Sequence, residues 1–525
     1  MTDTIKVIDL FAGPGGLGEG FSAFETPEGE HPFKIVASVE KEASAHRTLT
    51  LRAFYRQFLG SQTPAEYYEY LQSSSKVTAE QFFSKKFPKE WAAAKRETLG
   101  GPKALGTEDH DEIFSAIEKE VARYEGKKIV IGGPPCQAYS LVGRARNKGN
   151  KDYVAEDDQR HFLYKEYLKV LDLVQPDIFV MENVKGILTA KIAGESIFEK
   201  IREDLTCPAR AIGSTRIEVE YELLPFAHRL EDRNPSGSFQ NKDFVIRAEE
   251  FGIPQARHRV ILLGVRKNLL PKVLKGELLA NWRTSSHVTV GQILKELPRL
   301  RSGLSRTKPN TYDAWRRNFQ DGFFNKVYPA LSHLPDAQNS AEEAYYSTNS
   351  KLDQGGKFVP LKGNSKNSLP PELKIWYEDQ YLPGFVNHEA RNHMPEDLHR
   401  YLYASCYAEA NDGISPRSRD YPESLAPKHK SWTTGKFTDR FKVQAKSRVA
   451  STITSHISKD GHYFIHYDPA QCRSLTVREA ARIQTFPDNY FFEGNRTEQY
   501  VQVGNAVPPL LANYIAKAVY TMLEN

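Results

Sequence analysis

The N-terminal run Ile5–Phe11 (IKVIDLF) is a short apolar strand, and AGPGGLG over 12–18 follows it at once as a turn into a helical pattern from Glu19. A strand that passes through a glycine-rich turn into a helix commits a chain to a β-α-β layer architecture, because only a buried strand tolerates apolar residues on both faces. Gly13, Gly15 and Gly18 satisfy GxGxxG, which lets the backbone approach a ligand closely. The next apolar run, KIVASV over 34–39, ends on Glu40, a carboxylate placed to accept from ribose hydroxyls. This much indicates an adenosine-containing cofactor, and leaves a nicotinamide and S-adenosylmethionine equally open.

Further apolar runs at 128–131, 177–181 and 258–265, separated by helical patterns such as 162–171, predict an α/β fold with a mostly parallel sheet. The expected division is a catalytic and cofactor-binding part over 1–266, a smaller irregular domain over 267–448, and a return to the first part over 449–525. A polar, aromatic-rich helical insertion over about 50–126 interrupts the alternation. The segment from Lys267 to Cys472 holds 29 basic and 21 acidic residues, whereas the remainder holds 42 and 45. An overall charge of +5 therefore hides a basic middle suited to a polyanion.

Composition excludes several classes. Cys136, Cys207, Cys406 and Cys472 lie at least 66 residues apart, which rules out a zinc ribbon, a CxxC pair or a dense disulfide framework, so no metal is expected. No apolar run approaches the roughly 18 residues of a membrane span, and no signal-peptide pattern precedes the first strand. A reducing, cytoplasmic setting without membrane contact is expected.

Two motifs follow apolar runs and so fall at one edge of the sheet, and a third lies at the start of the run 258–265. GGPPCQAYS over 132–140 puts Cys136 on a proline-stiffened loop, as suits a nucleophile. MENV over 181–184 puts Glu182 at the same edge, where a carboxyl beside a ligand pocket can be tuned to donate a proton. QARHR over 255–259, taken as extended, puts Gln255, Arg257 and Arg259 on one face, converging on an oxygen-rich ligand.

Together these runs resemble the cytosine-C5 DNA methyltransferases. DLFAGPGG over 9–16 is similar to the family's cofactor loop, PPCQ over 134–137 to its nucleophile loop, ENV over 182–184 to its acid motif, and 255–259 to its QxRxR motif. RSLTVREAARIQTFPD over 473–488 resembles the segment that supports the target-recognition domain, and QVGNAVPP over 502–509 the C-terminal cofactor motif. The resemblance covers roughly 5–265 and 449–525.

It implies transfer of a methyl group from S-adenosyl-L-methionine to C5 of a flipped-out cytosine in duplex DNA, through a covalent bond from Cys136 to C6. Glu182 would act at N3, and Arg259, with Arg257 second, would hold the base or orient Glu182. Phe11, Gly13, Gly15, Gly16, Glu40, Pro135, Asn505 and Val507 would line the cofactor site, with Glu108 the candidate for the adenine contact. Gln137, Ser140, Asn183 and Gln255 would face the substrate, and Arg144 and Arg146 would carry a mobile loop onto phosphates. A monomer is expected, beside a separately acting restriction endonuclease. An RNA cytosine methyltransferase and a catalytically silent DNA-binding relative are the alternatives.

Overall fold

The computed structural model describes residues 4–73, 77–135, 163–192, 194–228, 234, 239–273, 279–305, 310–361, 369–427, 432 and 439–524. Its centre is a seven-stranded sheet of β1 (Ile5–Leu10), β2 (Phe33–Val39), β3 (Lys128–Gly132), β4 (Ile178–Val184), β5 (Tyr221–Leu224), β6 (Val245–Arg247) and β7 (His258–Arg266). The order is β2-β1-β3-β4-β7-β5, with β6 also on β7. The first four strands run parallel, whereas β7 is antiparallel to β4, β5 and β6. The order reverses beside β1, so the crevice at the carboxyl ends of β1 to β4 is the ligand edge.

The strands read as continuous apolar runs because helices cover both faces. α1 (Gly16–Ser22) packs on α7 (Pro509–Glu524) closely enough that a Cβ on Gly20 would stand 2.4 Å from that of Ala512. α3 (His110–Val121) turns Ile113, Ile117 and Val121 into the same core, as does α4 (Leu163–Val174) with Tyr167, Leu168, Val170, Leu171 and Val174. Among the described residues, no helix is long and apolar enough to cross a membrane.

The insertion is shorter than the sequence suggests. α3 is a sheet-covering crossover helix, since its apolar positions recur every four residues against the core. The excursion consists of α2 (Ala43–Arg56) and the helices Ala65–Gln72, Ala79–Lys86 and Pro88–Glu97. Phe54, Tyr67, Tyr70, Phe83 and Trp91 form a separate cluster there, joined by Leu382, Val386 and Phe491 from far along the chain.

The expected boundaries at 267 and 448 differ as well. A second core runs from Leu304 to Cys472 around Trp315, Phe319, Leu402, Phe441 and Ile465. Val290–Leu297 and the stretch holding Leu369, Leu373, Tyr377 and Phe385 pack instead into the first core. Val443 pairs with Ile465, which draws residues up to Cys472 into the second core, while Ala450, Ile453 and Ile457 return to the first. The two cores are interleaved, not consecutive.

Candidate active site

The loop after β1 turns sharply. Phe11, Gly13 and Gly15 take positive φ of 55°, 58° and 98°. Open space lies where a Cβ on Gly13 would point, so this face of the loop is free for a ligand. Gly16 serves packing: a Cβ there would stand 2.3 Å from the Val507 carbonyl oxygen, which brings the C-terminal motif onto the loop. Asn505, at the end of α6 (Arg496–Asn505), is exposed beside it.

Glu40, just past β2, accepts from the Gly13 amide at 2.7 Å and the Glu42 amide at 2.7 Å. Burial raises its pKa, and those amides oppose the rise. The Lys103 amide donates to the Glu40 carbonyl at 2.9 Å, so the loop ahead of α3 backs onto this site. Glu108 is exposed there, while Asp109 beside it turns inward and accepts from the Ala104 amide at 2.9 Å.

At the centre of the edge, β3 delivers Gly133, Pro134 and Pro135. The register pairs Gly132 with Met181, which sets Gly133 beside Glu182. A Cβ on Gly133 would stand 2.9 Å from Glu182 Oε2, so glycine makes room for this carboxylate. Asn183, buried next to it, donates through Nδ2 to the Pro134 carbonyl at 3.3 Å and ties the loop to β4.

Arg259 reaches the same point because β7 runs antiparallel to β4. Its register partner is Val184, and Glu182 pairs with Ile261, so Arg259 and Glu182 are diagonal neighbours on one face. Arg259 Nε lies 2.8 Å from Glu182 Oε1, with both side chains about 15% exposed. The outer oxygen of Glu182 remains toward the Gly133–Pro135 loop. Cys136, Gln137, Ser140, Arg144 and Arg146 lie outside the described residues.

Gln255 and Arg257 do not share the face of Arg259. The Arg257 amide donates to the Gln255 carbonyl at 2.8 Å, a tight turn that breaks the extended alternation before β7. Gln255 instead donates to Gln484 Oε1 at 2.6 Å and accepts from the Ile453 amide at 2.7 Å. Arg257 donates to the Ile453 carbonyl at 2.8 Å and to Gly504, and its burial pushes the guanidinium well below its usual pKa. Both residues bind the C-terminal segment to the site from behind.

Gln484 completes that bracket, donating to the carbonyls of Val503 at 2.7 Å and Ala506 at 3.1 Å on either side of Asn505. No role was assigned to it from the sequence, where its only signal was a polar residue inside the run 473–488. Asp9, fully buried under the loop at the end of β1, was missed likewise; burial pushes its carboxyl up to about 7. Among the described residues, no group of His, Cys, Asp and Glu could hold a metal.

Three comparisons bear on this edge. The profile of the family described as C-5 cytosine-specific DNA methylase matches residues 104–206 and 226–521. A type II methyltransferase of Bacillus paralicheniformis, M.Bpa9945I, is 35% identical and covers 99% of both chains. M1.HphI of Haemophilus parahaemolyticus is 27% identical over 76% of this chain and 69% of its own. M.ApeKI of Aeropyrum pernix, named a DNA (cytosine-5-)-methyltransferase, is 25% identical over 75% of this chain and 81% of its own. With a profile spanning most of its length and a relative matching it end to end, the chain belongs to the C-5 cytosine-specific DNA methylase family and is a DNA (cytosine-5-)-methyltransferase.

Proposed function

We propose that the chain methylates cytosine in one short duplex DNA sequence, using Cys136 as nucleophile and S-adenosyl-L-methionine as donor. The observation that carries this reading is the Glu182–Arg259 pair at 2.8 Å, set against Gly133 just past β3, three residues before Cys136 in the sequence. C5 of cytosine is a poor nucleophile, so electron density must first be pushed onto it. Addition of the Cys136 thiolate to C6 does this. Glu182 donates a hydrogen bond or proton at N3 as charge develops there, while Arg259 fixes the carboxyl in place. Once C5 carries the methyl group, the C5 proton passes to solvent water, N3 returns its proton to Glu182 and the Cys136 thiolate departs, which restores the ring.

The donor fits the loop after β1 on the chain's own features: the free face of Gly13, the Glu40 carboxylate held on its amide, and the exposed Asn505 two residues before Val507, which packs on Gly16. Phe11, Gly13, Gly15, Gly16, Glu40, Pro135, Asn505 and Val507 would hold it. When bound, S-adenosyl-L-methionine supplies a methyl group on a sulfonium sulfur that an electron-rich carbon can take.

A stacked base cannot reach such an edge, so the target cytosine flips out, at a cost of a few kcal/mol. Arg144 and Arg146 contact phosphates as the loop closes, and Gln137, Ser140 and Asn183 face the extruded base. The second core carries the sequence-reading surface. The chain works as a monomer inside the cell, and the names of its relatives favour a restriction-modification setting with a separate endonuclease.

The test incubates the protein and its Cys136→Ser variant with S-adenosyl-L-methionine and mixed-sequence duplex DNA, and maps 5-methylcytosine at base resolution. Methylation in one short context, absent from the variant, is expected. Equal methylation by the variant would remove Cys136 as nucleophile, and transfer to tRNA but not to DNA would move the substrate to RNA.

A further inference from the structure

The helical excursion between β2 and α3 has no part in the chemistry above, yet it reaches under the loop after β1. Arg52 of α2 is 5% exposed, and its Nε and Nη2 bond both oxygens of Glu19 in α1 at 2.8 and 2.5 Å. Its guanidinium carbon lies 3.8 Å from the Tyr55 ring centre and 4.9 Å from that of Tyr490. The Tyr490 hydroxyl donates to the Pro14 carbonyl, inside the loop itself. Arg52 thus supports the loop from below through Glu19, and Tyr490 from the side.

What orients Arg52 comes from elsewhere in the chain. Its Nη1 donates to Asn489 Oδ1 at 3.0 Å, while Asn489 Nδ2 donates to Asp379 Oδ2 at 2.6 Å and to the Tyr55 hydroxyl at 3.2 Å. An ionised carboxylate only accepts, so Asp379 holds the NH2 end of the Asn489 amide and leaves its oxygen for Arg52. Asp379 lies between the helix Pro371–Tyr377 and the strand Gly384–Glu389. That strand continues to Asn392–His393, which pairs with Gly303–Leu304 at the start of the second core. The stretch holding Asp379 is thus a strap from the second core laid across the first.

We propose that Asp379 and Asn489 are positioning residues for the cofactor loop: seating of the strap selects the amide orientation that holds Arg52 on Glu19, and so sets affinity for S-adenosyl-L-methionine. This rests on assigning the loop after β1 to that cofactor. Without Asp379 only the Tyr55 hydroxyl still accepts from the amide NH2, so the orientation that presents the amide oxygen to Arg52 is held less firmly and the arginine's grip on Glu19 loosens. The excursion is then the part that lets the recognition side of the molecule govern cofactor binding.

The test compares Asp379→Ala with Tyr68→Phe. The Tyr68 hydroxyl donates to the same Asp379 oxygen at 2.8 Å but does not touch Asn489. Tyr68→Phe removes that one hydrogen bond from the strap, whereas Asp379→Ala removes it together with the bonds from the Asn489 amide and from the Tyr381 amide at 2.9 Å, and only Asp379→Ala takes an acceptor from the Asn489 amide. S-adenosylhomocysteine affinity is measured by calorimetry, together with Tm, and KM and kcat on mixed-sequence duplex DNA. Asp379→Ala is expected to weaken affinity about five- to tenfold and to raise the KM for S-adenosyl-L-methionine alike with kcat within about twofold, while Tyr68→Phe stays within about twofold in affinity. Asp379→Ser replaces the alanine variant if that fails to fold. Equal weakening by both variants, or none by Asp379→Ala, would reduce the strap to a brace and overturn the proposal. A wild-type protein that methylates DNA in mixed extract but binds no S-adenosylhomocysteine would instead refute the cofactor assignment, and the proposal with it.

Discussion

At the scale of single residues, two glycines do different work from the one their motif suggests. Gly133 clears space for Glu182, and Gly16 clears space for a backbone carbonyl. A methyl group on Gly16 meets the Val507 oxygen at 2.3 Å, and a backbone atom cannot swing aside as a side chain would. Gly16→Ala is therefore expected to cost about 1–3 kcal/mol in urea unfolding and to weaken cofactor binding through the displaced C-terminal motif. An unchanged unfolding midpoint would show that Val507 moves freely. The placement of Glu40 and Glu182 at one edge was legible in the sequence, because each directly follows an apolar run. The diversion of Gln255 and Arg257 was not, because a single turn centred on Ala256 cancels the alternation on which their placement depended.

At the scale of elements, the antiparallel β7 decides the site. A fifth parallel strand would have carried the start of 258–266 to the opposite end of the sheet, far from Glu182. Periodicity gives a strand its faces and not its direction, so this reversal was invisible in the sequence. The strap strand Gly384–Glu389 carries a second consequence. His388 is buried there, bonded to the Pro298 carbonyl at 2.9 Å and the Thr476 hydroxyl at 3.0 Å, and burial lowers its pKa from 6.5 to about 4. Arg473 and Arg478 lower it further, while Glu479 opposes them.

A histidine buried in its neutral form favours the folded state fully above pH 6.5, and that advantage is lost as pH falls from 6.5 toward 4. The strap should therefore loosen with acid, by on the order of 3 kcal/mol across that window. Urea unfolding of the wild type and His388→Gln at pH 7.5, 6 and 5 checks this: the wild type should lose more stability on acidification than the variant. Parallel losses would assign the acid sensitivity to other groups.

At the scale of the molecule, buried arginines in the run 473–488 pin together stretches that lie far apart in the chain. Arg473 grips Glu479 through two bonds of 2.7 and 2.6 Å and also reaches the Leu300 carbonyl at 3.1 Å. Arg482 holds Asp488 at 2.9 and 2.6 Å and the Ile293 carbonyl at 2.8 Å, and Arg478 binds the carbonyls of Val386, Pro487 and Tyr490. Removing one partner leaves a buried charge alone, so Arg473→Met should cost about 3–5 kcal/mol. Arg473→Met with Glu479→Gln should recover part of that loss. A single variant as stable as the wild type would mean that water reaches Glu479 and that the junction is looser than its burial implies.

The sequence by itself determined the α/β class, the strands that end at the ligand edge, and the residue types gathered there, because apolar period and glycine placement are local properties of a chain. Only the tertiary structure decided that β7 turns back to bring Arg259 onto Glu182, that Gln255 and Arg257 face Gln484 and Gly504, that the excursion ends before α3, and that the two cores interleave. Each of these depends on contacts between segments tens to hundreds of residues apart, where burial and the need to pair every buried polar group choose among arrangements that local pattern leaves equal.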